Sequence, residues 1–472
     1  MKRLSSLDTQ FLAAEGANFG SQYCGLLMFD TTGHTIDKAV LVERLENVVR
    51  TCPPMRWKVV EVPFGLDYPV FVEATVDLDD HVTESTLERA DDMGLAVEAG
   101  QILATKLERD RPLWRLHVFH GLPGRTAVVF TLHHAVADGI SATKILGALV
   151  DGPEPLASSP AVVDEVHASQ TELALSGLAT LPMRWLRALR ATPQLLGHLD
   201  LVPPLRALPG VHTIASRWRG GDDSPRLDAP RTRFTTKLSP HRSLAFGTLP
   251  LDVIKAVKNE YGFTVNDVVI ALCAGALRRR LLATGELPDT PLVAYIPIST
   301  RAPEAYGDFG NSIGSIIAPL PTHLPNLKSR LEFAHHAMKA AKHRTQQASP
   351  TLLADVNDPI PSPIFGIAAR RLMDLISSRL DTPPVNLVVS NVAGPPVQLT
   401  LAGAPLIATF PLSVIFDSFA LNITVVSYQG GLDIGIVGDS VALPDGWDLV
   451  GDFHREIADF AALVATSERT PK

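Results

Sequence analysis

Apolar positions along the first 150 residues follow two rhythms. Ile36, Val40, Leu41, Leu45, Val48 and Val49 recur at helical spacing, and Pro53-Pro54 ends that helix. Residues 56–62 and 68–74 are β-rich. Residues 125–134 read as a strand, with Val128, Phe130, Leu132 and His134 on one face and Val129, Thr131 and His133 on the other.

The pattern breaks between about 152 and 240. Pro153, Pro155 and Pro160 with Ser158-Ser159 form a linker-like piece, and residues 203–230 hold five more prolines. Between them lies a Leu-rich segment carrying Arg184, Arg187 and Arg190 around Trp185. It reads either as an interdomain helix with a solvated basic face or as an interfacial helix resting on lipid headgroups.

A second patterned region runs from about 243 to the end. Pro250 suits the first turn of a helix that turns Val253, Ile254 and Val257 inward. Residues 265–283 are apolar nearly all round, which predicts a buried helix, and Thr264 with Asp267 forms a capping box at its start. Strand-like runs follow at 292–298, 385–391 and 412–428, the last pairing with 432–439 across Gln429-Gly430-Gly431. Val450, Phe453, Ile457, Phe460 and Val464 mark a closing helix. The expected organisation is two α/β halves, residues 1–165 and 241–472, joined by a linker over 166–240.

Composition narrows the function. With 472 residues, 46% of them apolar and 19% charged, the chain is expected to fold as two or more globular units. A net charge of −8 offers no overall positive field for nucleic acid. Cys24, Cys52 and Cys273 are scattered without CxxC spacing, which points to a reducing compartment. The first ten residues lack the apolar run of a signal peptide, and nowhere do eighteen apolar residues run together. The expectation is a cytoplasmic protein, at most peripheral to a membrane.

The candidate chemistry sits at His133-His134-Ala135-Val136-Ala137-Asp138-Gly139, a His-His-x-x-x-Asp-Gly segment directly after the 125–134 strand. A neutral imidazole at His134 can take a proton from a hydroxyl, since its ordinary pKa lies near working pH. Asp138 reads as a brace, bonding local backbone N–H groups or pairing with an arginine. Gly139 permits positive φ. The competing reading is a strand-end histidine pair packed against a loop. Metal is not expected, because adjacent histidines on opposite faces cannot chelate one ion and no HExxH or cysteine cluster accompanies them. No G-x-S-x-G elbow signals a nucleophile. A second pair, His335-His336, lies among Glu332, Lys339 and Lys342 and reads as a solvated helix face.

These blocks, taken in order, resemble the bacterial wax ester synthase/diacylglycerol acyltransferase family of CoA-dependent acyltransferases. The similarity begins at Leu4-Ser5-Ser6-Leu7-Asp8-Thr9-Gln10-Phe11-Leu12 and continues through Asp77-Leu78-Asp79-Asp80-His81-Val82 and Arg111-Pro112-Leu113-Trp114 to the histidine motif. Val265-Asn266-Asp267-Val268-Val269, Pro297-Ile298-Ser299-Thr300-Arg301 and Phe309-Gly310-Asn311 follow. Asn391-Val392-Ala393-Gly394-Pro395 resembles the family's Asn-Val-Pro-Gly-Pro block, with alanine in place of its first proline; that departure is expected to loosen one loop near the acceptor pocket.

The resemblance implies two chloramphenicol-acetyltransferase-like α/β domains with an active-site tunnel between them. It implies acyl-CoA as co-substrate, no permanently bound cofactor, and diacylglycerol or a long-chain fatty alcohol as acceptor, worked on at a membrane or lipid-droplet surface. His134 matches the catalytic histidine, framed by His133, Asp138 and Gly139, and Arg301 is the expected partner of Asp138. Pro112, Trp114, Asn266, Asp267 and Asn311 fall in blocks tied to the pocket or to structural integrity. Trp114 also reads as a core anchor, and Asp267 as a helix cap. Triacylglycerol formation leads; wax ester synthesis, a carrier-protein-dependent acyltransferase and a silent lipid-binding relative are the alternatives.

Overall fold

In the computed structural model, which describes residues 1–151, 169–221, 227–299, 313–347, 382–444 and 446–468 with scattered positions between 367 and 378, the first half begins with β1 (Lys2–Arg3), α1 (Ser6–Ala14), β2 (Gln22–Asp30), α2 (Lys38–Thr51), β3 (Trp57–Val60) and β4 (Val70–Glu73). It continues through α3 (Leu78–His81), β5 (Val82–Thr86), α4 (Asp92–Ala104), β6 (Trp114–His120), β7 (Arg125–His133) and α5 (Gly139–Leu149). Three helices follow: α6 (Gln170–Gly197), α7 (Pro203–Arg206) and α8 (Val211–Trp218). The second half opens with β8 (Arg242–Pro250), α9 (Leu251–Tyr261), α10 (Val265–Ala283), β9 (Leu292–Ser299), β10 (Ile313–Leu320) and α11 (Leu327–Gln347). It closes with β11 (Leu387–Ala393), β12 (Thr400–Leu401), β13 (Ala404–Leu412), β14 (Leu421–Tyr428), β15 (Gly431–Asp439) and α12 (Gly446–Glu468).

Among the described residues, two six-stranded sheets carry the fold. One has the order β10-β9-β11-β14-β15-β8, the other β12-β13-β2-β7-β6-β5. A small third sheet, β1-β4-β3, stands apart. The run expected as one strand over 412–428 is in fact two. β13 ends at Leu412 and β14 starts at Leu421, and between them Ser418 takes a left-handed φ of 75° in the turn that links Phe416 to Phe419. That break lets β12 and β13 leave the second sheet and join the first, where β13 pairs antiparallel with β2 from Leu412↔Cys24 to Leu406↔Phe29.

β2 is also buried on both faces. Leu27 and Phe29 pack with α2 and β6 residues such as Leu41, Leu45 and Leu116, while Leu26 and Met28 pack with α4 and the second half through Leu95, Leu244 and Phe246. A strand covered on both sides needs apolar residues at successive positions, which explains the run Leu26-Leu27-Met28-Phe29. The seam between sheets is tight. Thr409 N–H donates to Asp433 Oδ2 at 2.8 Å, and a Cβ on Gly435 would lie 1.9 Å from the Pro411 carbonyl oxygen.

Several local signals act as their chemistry dictates. Gln429 and Gly430 both take positive φ, 46° and 81°, in the two-residue turn of the β14–β15 hairpin, whose strands register at Tyr428↔Gly431. Thr264 and Asp267 close a reciprocal capping box on α10, which is buried nearly all round. Pro250 stands one step earlier than expected. It is the last residue of β8 and the N-cap of α9, a place where its missing N–H costs nothing.

One of the arginines of α6 departs from both readings. Arg184 is 3% exposed; its guanidinium donates to the Leu66 carbonyl at 3.2 Å, lies 3.5 Å from Asp67 and stacks over the Tyr68 ring. It anchors α6 to the small sheet, while Arg190 is exposed. Among the described residues no single helix is long and apolar enough to cross a membrane; α9 and α10 pass that test only as a pair bent by 113°, and α10 is core.

Candidate active site

The site forms where β7 leaves its sheet. His133 is the last residue of β7, placed opposite Gln22 of β2, and its N–H donates to the Leu113 carbonyl at 3.1 Å. His134 N–H donates to the Ser21 carbonyl at 2.9 Å, so both histidine backbones are held by the flanking strands. The chain then turns, Val136 N–H reaching the His133 carbonyl at 2.9 Å, and enters α5 through Asp138.

The two rings point to different surroundings. The half-buried His134 imidazole stacks on Phe11 at 4.8 Å between centroids and leans on Tyr23 at 4.5 Å. Burial among these rings pushes its pKa down to about 3; the neighbouring His133 adds to the shift and Asp138 opposes it. His134 is therefore a neutral imidazole throughout the physiological range. Burial, helped by the Asp138 charge, pushes the Tyr23 phenol well above its ordinary value, so it stays a donor, and it donates to the Ala137 carbonyl at 3.2 Å.

His133 is buried and tied to a carboxylate. Its Nδ1 accepts from Ala135 N–H at 3.0 Å, which places the ring proton on Nε2, 3.2 Å from Glu15 Oε1. Glu15 ends α1 and also accepts from Ser21 N–H at 3.2 Å and from Arg109 at 2.7 Å. Burial works to raise the Glu15 pKa, but the bonds from His133 and Arg109 outweigh it and hold the carboxyl at about 2.

Asp138 is 2% exposed and caps α5, its Oδ1 accepting from Ser141 N–H at 2.8 Å. Gly139 does not take the positive φ expected of it; it is the first residue of α5. A Cβ there would sit 3.8 Å from Val392 Cγ2, so the start of α5 faces the end of β11 in the second sheet. Ala393, expected in a loosened loop, instead ends β11 in register with Ser427 of β14. At Gly394 a Cβ would meet the Ser427 carbonyl oxygen at 2.2 Å, so only glycine fits.

The other sequence-marked residues divide. Trp114 is buried in the first core, its indole N–H donating to the Met55 carbonyl at 2.8 Å and its ring stacked on His81. Pro112 accepts from Trp114 N–H at 2.9 Å and sets the entry to β6, so this block braces the strand beside His133. Asp267 is occupied by Thr264 N–H and by His335 Nδ1, both at 3.0 Å, and Asn266 is half-buried beside it. His335 is thus no solvated side chain. It stacks on Phe263 and bonds a buried carboxylate, whereas His336 is exposed. Arg301 and Asn311 lie outside the described residues. Among the described residues no group of three His, Cys, Asp or Glu side chains is placed to hold a metal ion.

Sequence reasoning missed Phe11, Glu15, Tyr23 and Arg109. Phe11 lay inside a quoted block, but nothing in spacing alone ties Glu15 to a histidine 118 positions away.

The chain is similar to known proteins over nearly its whole length. Residues 4–269 match the wax ester synthase/diacylglycerol acyltransferase catalytic domain, and residues 309–460 the corresponding C-terminal domain. A Mycobacterium tuberculosis protein named as a diacylglycerol O-acyltransferase is 33% identical over all of this chain and 92% of its own length. An Acinetobacter baylyi O-acyltransferase is 28% identical over 99% of both. Among solved structures, the wax ester synthase/diacylglycerol acyltransferase from Marinobacter aquaeolei superposes with a TM-score of 0.68 at 26% identity, covering 98% of this chain and all of that one. The starter condensation domain of rhizomide synthetase shares the fold at 16% identity and a TM-score of 0.55, over 98% of this chain and 95% of its own.

Proposed function

Because the chain belongs to the wax ester synthase/diacylglycerol acyltransferase family and is an O-acyltransferase of that type, we propose that it transfers a long-chain acyl group from acyl-CoA to the free hydroxyl of diacylglycerol, giving triacylglycerol, with His134 as general base. The observation that carries this reading is the position of the His134 imidazole, stacked on Phe11 and tilted against Tyr23 at a turn that faces the second sheet.

As the hydroxyl oxygen bonds the thioester carbonyl carbon, its proton passes to His134. The C–S bond then breaks, and the coenzyme A thiolate takes the proton back from the imidazolium. A ring whose pKa is held near 3 is a poor base in isolation. It accepts the proton only as negative charge grows on the carbonyl oxygen and sulfur, so proton transfer and bond formation proceed together. Backbone N–H groups or Asn266 stabilise the oxyanion. Asp138 holds the turn by capping α5, with Arg301 as its expected partner, and Glu15 fixes the His133 tautomer. Acyl-CoA enters as co-substrate and no resident cofactor takes part. The protein works from the cytoplasmic side at a membrane or lipid-droplet surface.

Purified protein with labelled long-chain acyl-CoA, offered diacylglycerol and hexadecanol separately, tests the reading. Label in triacylglycerol that vanishes in His134→Ala supports it. Label only in wax ester moves the acceptor to fatty alcohols, and product formation by a folded His134→Ala overturns the mechanism.

A further inference from the structure

α6 is amphipathic in an inverted sense. Leu173, Gly177, Thr180 and Arg184 lie along one side of the helix and face the small sheet; a Cβ on Gly177 would sit 3.0 Å from Leu66 Cβ, Thr180 bonds Asp67, and Arg184 spans Leu66 to Tyr68. The opposite side is the apolar one. Leu175, Leu178, Met183, Leu186 and Leu189 are exposed by 62, 51, 52, 42 and 69%. At 3.6 residues per turn these five fall within about 140° of arc. Trp218, on the adjoining α8, is 56% exposed.

Charge tells what covers this face. Residues 170–219 hold six arginines against Glu172 and Asp200, a net +4 in a chain whose total is −8. Arg184 is taken up by Asp67 and Arg219 by Asp200, but Arg190 on α6 and Arg217 on the adjoining α8 stand exposed. Leucines flanked by arginines, with a tryptophan at one end, suit the boundary between acyl chains and anionic headgroups.

We infer that α6 is the lipid-docking element of this protein, lying along an anionic membrane or droplet monolayer with Leu175, Leu178, Met183, Leu186 and Leu189 inserted and Arg190 and Arg217 among the headgroups. The inference rests on the proposed work at a lipid surface, and it reassigns docking from the arginine row to the leucine face. Arg184 belongs to the scaffold side and takes no part.

The test is co-flotation of the full chain with vesicles of phosphatidylcholine alone and of equal parts phosphatidylcholine and phosphatidylglycerol, without substrate. Wild type is expected to float with the mixed vesicles. Leu178→Gln/Leu186→Gln/Leu189→Gln, all at exposed positions, should lower the partition coefficient at least about tenfold. Arg190→Gln/Arg217→Gln should weaken binding to the mixed vesicles and leave binding to phosphatidylcholine unchanged. Acyl transfer to a short, water-soluble alcohol, read in parallel, keeps docking separate from chemistry: its loss in the triple variant, or its absence in wild type, tells against the catalytic reading or the variant's fold and not against docking. Wild-type flotation by the triple variant, no flotation of wild type, or a solution dimer that the triple variant abolishes overturns the inference.

Discussion

Nε2 of His133 lies 3.2 Å from Oε1 of Glu15, and the carboxylate is held in turn by Arg109. This chain of contacts fixes the tautomer of a side chain one residue away from the proposed base. Glu15→Ala should therefore act through geometry. Loss of a buried hydrogen bond to a charged group is worth roughly 1.5–3 kcal/mol, so kcat is expected to fall about 10- to 100-fold with KM changed little. Steady-state kinetics with varied acyl-CoA check it; Glu15→Gln, which can still accept one bond, should recover part of the loss.

The same carboxylate makes stability depend on acid. Its pKa is lowered from 4.5 to about 2 on folding, so the unfolded chain binds the proton first and the native state gains from Glu15 above pH 4.5. That gain, on the order of 3 kcal/mol, is lost as pH falls from 4.5 toward 2. Denaturant titrations across that window should show a shallower decline for Glu15→Gln than for wild type.

His134 sets the pH profile of the reaction. With its pKa depressed to about 3, the basic form is fully present above pH 5, and kcat/KM should show no acid limb near 6.5. A bell with its lower arm at 6 to 7 contradicts the assignment. His134→Ala is expected to lower kcat by about 10²- to 10⁴-fold without loss of the cooperative thermal transition.

Arg184 and Arg190 should part company. Arg184→Ala removes a buried bond to the Leu66 carbonyl and the stacking on Tyr68 while Arg3 still pairs with Asp67, and is expected to cost about 1–3 kcal/mol, seen as a lower melting temperature, whereas Arg190→Ala should lie within about 0.5 kcal/mol of wild type. Equal melting temperatures for the two variants would show that Arg184 does not anchor α6.

Gly435→Ala probes the seam. Its Cβ would fall 1.9 Å from the Pro411 carbonyl oxygen, a backbone atom that cannot rotate away, so β13 and β15 must separate. A loss of about 3 kcal/mol or more is expected, with a matching drop in the denaturant midpoint.

Patterns that depend on neighbours in sequence were legible in advance. The period-two alternation of residues 125–134 separated His133 from His134, and Gln429-Gly430 announced its hairpin, because one element's face and one turn's φ values decide them. Relationships across the chain were not. The transfer of β13 to the first sheet follows from the pairing Leu412↔Cys24, which leaves no mark on the apolar pattern of either strand. Arg184 looked like surface because its partners, Asp67 and Tyr68, lie on a distant turn. Gly139 looked like a positive-φ residue because the residue type alone does not give φ; it begins α5, where a Cβ would make only ordinary contact, 3.8 Å from Val392 Cγ2.

The strand exchange also sets a schedule for the growing polypeptide. β2 is translated early but gains its outer neighbour, β13, only when nearly the whole chain has emerged from the ribosome, a delay on the order of tens of seconds. Until then one edge of the first sheet, Cys24 to Phe29, is an open template for foreign strands. Fragments cut between the halves should therefore aggregate singly and fold when co-expressed, and chaperone occupancy during synthesis should persist until β13 is released.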